Sequence, residues 1–270
     1  MKATFALAIL ALSLAGAANA NPALPFVSHR AVYTISLAKG DGLQAPVAAS
    51  GMIAYEFRGS ACEGYASDFR QVTELQRNEG DPFDSDTRAI TFEDGQSKKM
   101  RFKIDATIGD ASQPTVDGSA ARDAAGEISV SLNQPKQETL KLGKDILFPT
   151  QHLFHVIEAA KAGTHTLEAR VYDGSDTGEK IFDTLTVIGQ EATGPSPDAA
   201  TAAVLKSVRR WPVTISYFDE AKKDAPPDYV LSFDLYEDGV LGSLKLDYGQ
   251  FVLAAQLSKF ELLPEQPCTQ

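Results

Sequence analysis

Apolar and polar side chains alternate with a period of two along nearly the whole chain, which restricts the fold to a largely antiparallel sheet. From His29 to Ala38, residues Ala31, Tyr33, Ile35 and Leu37 fall on one face. Gly51 to Gly59 places Ile53, Tyr55 and Phe57 together, and Asp68 to Arg77 is polar but strand-like. Asp86 to Glu93 and Lys98 to Thr107 predict a hairpin around Glu93-Asp94-Gly95, with faces Arg88/Ile90/Phe92 and Met100/Phe102/Ile104. Glu127 to Leu132 follows the same pattern. In the second half, Thr166 to Tyr172 and Lys180 to Gly189 flank a turn at Asp173-Gly174-Ser175-Asp176. Trp211 to Phe218, Tyr229 to Glu237, Val240 to Tyr248 and Phe251 to Glu261 complete the set, with Asp238-Gly239 as a tight-hairpin signal. About a dozen or more short strands at this spacing predict an all-β sandwich or barrel.

One segment breaks the period. Phe148 to Gly163 predicts a helix capped by Thr150 and ended by Gly163, with Leu153, Phe154, Ile157 and Ala160 as its apolar stripe. It stands between two strand-rich halves, where it would plug or brace a curved sheet. Asp110 to Gly126, Glu191 to Ala200 and Lys222 to Asp228 read as exposed loops. No shift in composition marks a second domain, so residues 21–270 are expected to form one β-barrel or spiral unit.

Residues 1–20 carry the three regions of a secretory signal. Lys2 is followed by an apolar run from Ala3 to Gly16, then by Ala18-Asn19-Ala20, a small-x-small cleavage site. The run is too short for a membrane span, and no stable membrane insertion is expected. The formal net charge of -11 repels phosphate backbones, so nucleic acid is not an expected partner.

Export gives the two cysteines, Cys62 and Cys268, a specific meaning. In an oxidising compartment a lone pair forms a disulfide by default, here tying the tail to the front of the fold. The alternative is two free thiols, one of them used for metal or catalysis.

Catalytic and metal chemistry is hard to find. His152 and His155 stand three apart on the predicted helix, but a metal needs further ligands and Glu158 is the one nearby carboxylate on the helix. Asp173-Gly174-Ser175-Asp176 lacks the oxygen ligands and closing Glu of a calcium loop. Neither a nucleophile elbow nor a phosphate-binding loop is present. Carboxylates abound, but spacing singles out none for hydrolytic work, and no catalytic residue, metal site or cofactor is assigned. Tyr33, Tyr55, Phe57, Phe92, Phe102, Tyr217, Phe233 and Tyr248 fall in alternating strands. A filled barrel core is the expected reading, with a cup for a lipid or other apolar ligand as the alternative.

Four segments in order carry a family resemblance: GSACEGYASDFRQ (Gly59 to Gln71), FPTQHLFHVIEAAKAG (Phe148 to Gly163), VYDGSDTGEKIFD (Val171 to Asp183) and LKLDYGQFVL (Leu244 to Leu253), with a late cysteine at Cys268. The chain resembles the EipB family of periplasmic cell-envelope integrity proteins of Gram-negative bacteria, across essentially the whole exported part. The resemblance implies a spiral, broken β-barrel with a helix packed against it and an internal disulfide at Cys62 and Cys268. It also implies a non-enzymatic role in maintaining the envelope under stress, and a periplasmic tetratricopeptide-repeat protein as partner. The family assigns no catalytic residues, so none are carried over.

Overall fold

The structure, a computed structural model, describes residues 26–42 and 45–265. The expected signal segment and Cys268 lie outside the described residues. The chain runs as a meander through β1 (His29–Gly40), β2 (Ala48–Ser60), β3 (Gly64–Gln76), β4 (Phe83–Glu93) and β5 (Lys99–Ile108). It continues through β6 (Ala111–Ser112), β7 (Val116–Arg122), β8 (Ile128–Gln134) and β9 (Glu138–Gly143). The short β10 (Ile146–Leu147) leads into helix α1 (Pro149–Lys161) and then β11 (Thr166–Val171). After β12 (Phe182–Ile188) come the four-residue α2 (Ala199–Ala202), β13 (Arg210–Asp219), β14 (Tyr229–Tyr236), β15 (Leu244–Asp247) and β16 (Phe251–Leu262).

All these strands belong to one sheet, in the order β10-β11-β12-β13-β14-β15-β16-β1-β2-β3-β4-β5-β7-β8-β9, with β6 attached to β5 alone. Every pairing is antiparallel except β10 with β11, which are bridged by α1. The two edges, β9 and β10, follow one another in sequence without being hydrogen-bonded neighbours. The sheet therefore curls into a broken barrel, as expected. Register shifts in the β1–β16 pair, at Val32/Tyr33 and Leu37/Lys39, add the local twist that such curvature needs.

Two cores follow from this curl. The larger gathers Tyr33, Ile53, Trp211, Ile215, Phe233 and Leu257 around Val156, Ile157 and Ala160 of α1. The second joins Met100, Phe102, Ile128 and Val130 to Phe148 and Tyr172. No helix among the described residues is long and apolar enough to cross a membrane.

Five expectations are corrected. The β4 face of Arg88, Ile90 and Phe92 points outward: Ile90 is exposed, and Arg101 lies over the Phe92 ring. The inward face carries Thr91 and Glu93 instead. Residues 110–126 are not a loop but hold β6 and β7. Their signal was weak because Gly118 and Ala120 face inward, where Phe102 fills the space; a Cβ on Gly118 would lie 2.7 Å from that ring. Helix α1 starts at Pro149, with Phe148 as an N-cap that makes no side-chain bond, so Thr150 is not the cap. The helix is also rotated from the expected stripe. His152, Val156, Ile157 and Ala160 are buried, Leu153 and Phe154 are half-buried, and His155 is exposed. Finally, Tyr248 is exposed beyond the end of β15.

Candidate functional site

Inside the barrel, at the N-terminus of α1, lies a cavity of about 200 Å3. Its walls come from β2, β3, β4, α1, the end of β11, β13 and β14. Glu93, the last residue of β4, is the most unusual of its lining residues. It is only 2% exposed. Its Oε1 accepts the backbone N–H of Thr150 at 2.8 Å, so a strand carboxylate occupies the place of a helix cap. Its Oε2 is buried without a hydrogen-bond partner. Burial pushes the carboxyl up to about 7, against the downward pull of the Thr150 hydrogen bonds.

A second carboxyl, that of Asp173, lines the same cavity just beyond β11. Its Oδ1 accepts the Ser175 N–H at 2.9 Å, and burial again raises its pKa. Tyr217 and Tyr229 are register partners across β13 and β14. Their rings stack 4.4 Å apart, and Phe182 meets both edge-on. Burial raises the phenol pKa of Tyr55, Tyr217 and Tyr229, so all three remain neutral.

His152 is buried on the cavity side of α1, and its Nε2 lies 3.5 Å from Thr184 Oγ1. That hydroxyl already donates to the Ala169 carbonyl at 2.9 Å. Burial, then the proximity of His155, lowers His152 to about 4 and keeps it neutral. The two histidines thus face different surroundings. Among the described residues, no group of three or more His, Cys, Asp or Glu side chains could hold a metal. No described lining residue is a lysine or arginine. The nearby Lys180 ammonium is engaged by Asp176 at 2.7 Å and Asp228 at 3.1 Å.

A larger hollow, about 560 Å3, lies among Asp145, Glu168, Arg170 and Phe218. It is the weaker candidate, because its Arg170 is already paired with Glu220 at 2.6 Å and, among the described residues, no buried polar side-chain atom lining it lacks a partner.

Of the sequence-assigned residues, Cys62 lies in the exposed turn of residues 61–63 that joins β2 to β3. This turn is pressed on the next hairpin: a Cβ on Gly95 would lie 1.8 Å from the Ala61 carbonyl oxygen. Cys268 lies outside the described residues. Leu262, the end of β16, pairs with His29, which pairs on its other side with Phe57, three residues before the end of β2. The last described stretch therefore leaves the sheet at the end where Cys62 turns. Sequence reasoning missed Glu93 because Glu93-Asp94-Gly95 reads as turn; its inward phase with Thr91 was the available signal.

The family model described as EipB-like matches residues 20–264. The chain is 34% identical over 249 residues to the cell envelope integrity protein EipB of Brucella abortus (strain 2308), covering 92% of this chain and 88% of that protein. The chain belongs to the EipB-like family. Its fold matches the crystal structure of a beta-barrel-like protein of a domain of unknown function from Brucella abortus, with a TM-score of 0.82 and 32% identity. That match covers 88% of this chain and 99% of the other. Membership in the EipB-like family supports a role in cell-envelope integrity.

Proposed function

We propose that this EipB-like protein is a non-enzymatic periplasmic component that supports the cell envelope under stress through contacts with other proteins, a tetratricopeptide-repeat protein among them. The observation that carries the reading is kinship with a named envelope integrity protein along nearly the entire sheet and helix. The interior also supports it. Two of the polar groups there help hold the fold: the Glu93 Oε1 accepts from the start of α1, and His152 is buried beside Thr184. Deleting the gene should sensitise cells to detergent and to cell-wall antibiotics, and expression of the chain should restore survival. Affinity capture of the tagged protein from crosslinked periplasm should recover a tetratricopeptide-repeat protein. Unchanged survival across these stresses would sink the reading.

A second reading, a carrier with a ligand in the barrel, is favoured by the cavity itself. At about 200 Å3 it is smaller than the roughly 300–1,000 Å3 of drug-sized sites, so it suits a small molecule or a headgroup rather than a whole lipid. Native mass spectrometry of protein purified from its own host tests for such a ligand. Cys62 and Cys268 are proposed to form the disulfide that fixes the tail; thiol counting under non-reducing conditions checks it.

A further inference from the structure

The interior cavity joins three features that a filled core does not need. Glu93 is 2% exposed, lines the cavity, and has one carboxyl oxygen fixed by Thr150 and the other without a partner. A buried orphan acceptor of this kind is costly unless something donates to it. The second feature is Asp173 in the same lining. The acceptor capacity of two carboxyl groups is thus gathered where no described lining residue brings a lysine or arginine, and where His152 is neutral. Lys180, whose charge reaches Asp173, is held in ion pairs by Asp176 and Asp228. The third is the stacked pair Tyr217 and Tyr229, whose ring faces attract cations.

We propose that the cavity binds a small primary ammonium group, with Glu93 as its principal acceptor and Asp173 and the tyrosine pair completing its surroundings. The ligand is cationic because the described lining offers carboxyl and aromatic groups and no lysine or arginine. It bears N–H because the unpartnered Glu93 oxygen needs a donor, which a quaternary ammonium lacks, and a primary ammonium has three such donors, enough for Glu93 and Asp173 at once. The charge-assisted bond then satisfies the orphan acceptor and neutralises a buried carboxylate together. The size limits the occupant to a small amine or to the aminoethyl headgroup of a phospholipid. This inference rests on the second reading above, that the interior takes a ligand, and goes beyond it in assigning the ligand's chemistry.

Titration calorimetry on the full chain tests it with n-butylamine, ethanolamine, butan-1-ol, tetramethylammonium, and dihexanoyl phospholipids with ethanolamine or choline headgroups. The two amines should bind, and butan-1-ol and tetramethylammonium should not. Glu93→Gln and Asp173→Asn should each weaken butylamine about tenfold or more, with melting curves showing the variants folded. If the ethanolamine phospholipid binds far more tightly than ethanolamine, the natural source is a lipid headgroup; equal binding points to a free amine. Butan-1-ol binding as well as butylamine would overturn the ammonium assignment and leave the carrier reading standing. Failure of both amines and of the ethanolamine phospholipid would overturn the ammonium assignment, and native mass spectrometry of host-purified protein then decides the carrier reading separately. Should Glu93→Gln not fold, Asp173→Asn and the butylamine–butanol comparison decide, and amine binding untouched by the folded variants also overturns the proposal.

Discussion

Glu93 at the end of β4 accepts the backbone N–H of Thr150 at the start of α1, across 57 residues of sequence. This bond substitutes for the missing side-chain cap at Phe148 and places a carboxyl against the positive end of the helix. The helix favours the ionised carboxylate and burial opposes it; burial wins, leaving the group at about 7.

That balance predicts a pH signature. Glu93 has a folded-state pKa above its ordinary 4.5, so the fold binds the extra proton and loses stability as pH rises from about 4.5 through 7. His152 is lowered from 6.5 to about 4, so its contribution is present above 6.5 and lost as pH falls toward 4. Each amounts to about 3 kcal/mol over its window. Between about pH 4.5 and 6.5 the two cancel. Chemical denaturation should show Glu93→Gln losing stability on acidification below 6.5, where the unchanged protein is flatter. Equal profiles for both would refute the assignment.

The burial order along α1 makes a second prediction. Ile157→Ala and Val156→Ala remove fully buried side chains and should cost about 2–5 and about 1–3 kcal/mol. Leu153→Ala, on the half-buried flank, should cost less than Ile157→Ala. Thermal melts of the three variants provide the ranking, and a larger loss for Leu153→Ala than for Ile157→Ala would refute it.

Gly95 is a third target. Its missing Cβ lets the β4–β5 turn lie against the Ala61 carbonyl of the Cys62 turn. Gly95→Ala must separate the two turns, at a cost above about 1 kcal/mol. An unchanged denaturation midpoint would show that the turns do not depend on this approach.

The proposed disulfide makes a fourth. Closing a loop of roughly 200 residues stabilises by at most about 5 kcal/mol in the chain-entropy picture. Cys62→Ser, Cys268→Ser and the double variant should melt at one common temperature, which the unchanged protein should reach under reducing agent. Distinct temperatures for the two single variants would contradict a shared bond.

The fold was legible wherever large side chains marked one face. In β1, β13 and β16 the alternation of bulky apolar residues survives as a burial pattern. Signal faded in β7, where Gly118 and Ala120 face a core filled from the neighbouring Phe102. It reversed in β4, where Ile90 lies outside and a glutamate lies inside. The candidate site was illegible for the same reason: local pattern assigns acidic residues to turns, and nothing near Glu93 in sequence announces that Thr150 will meet it.

Because β16 is hydrogen-bonded to β1 in the middle of the sheet, order of synthesis and order of assembly are decoupled. The β1–β5 meander can zip locally, yet the inner edge of β1 has no neighbour until the chain from Phe251 to Leu262 arrives. A protein cut before Phe251 would carry two bare edges, the long one of β1 and the four-residue one of β15, with a strand missing between them. Such a fragment would invite a donated strand from another copy. Supplying the β16 peptide in trans should then rescue it, turning a late step of folding into a bimolecular event whose rate can be measured.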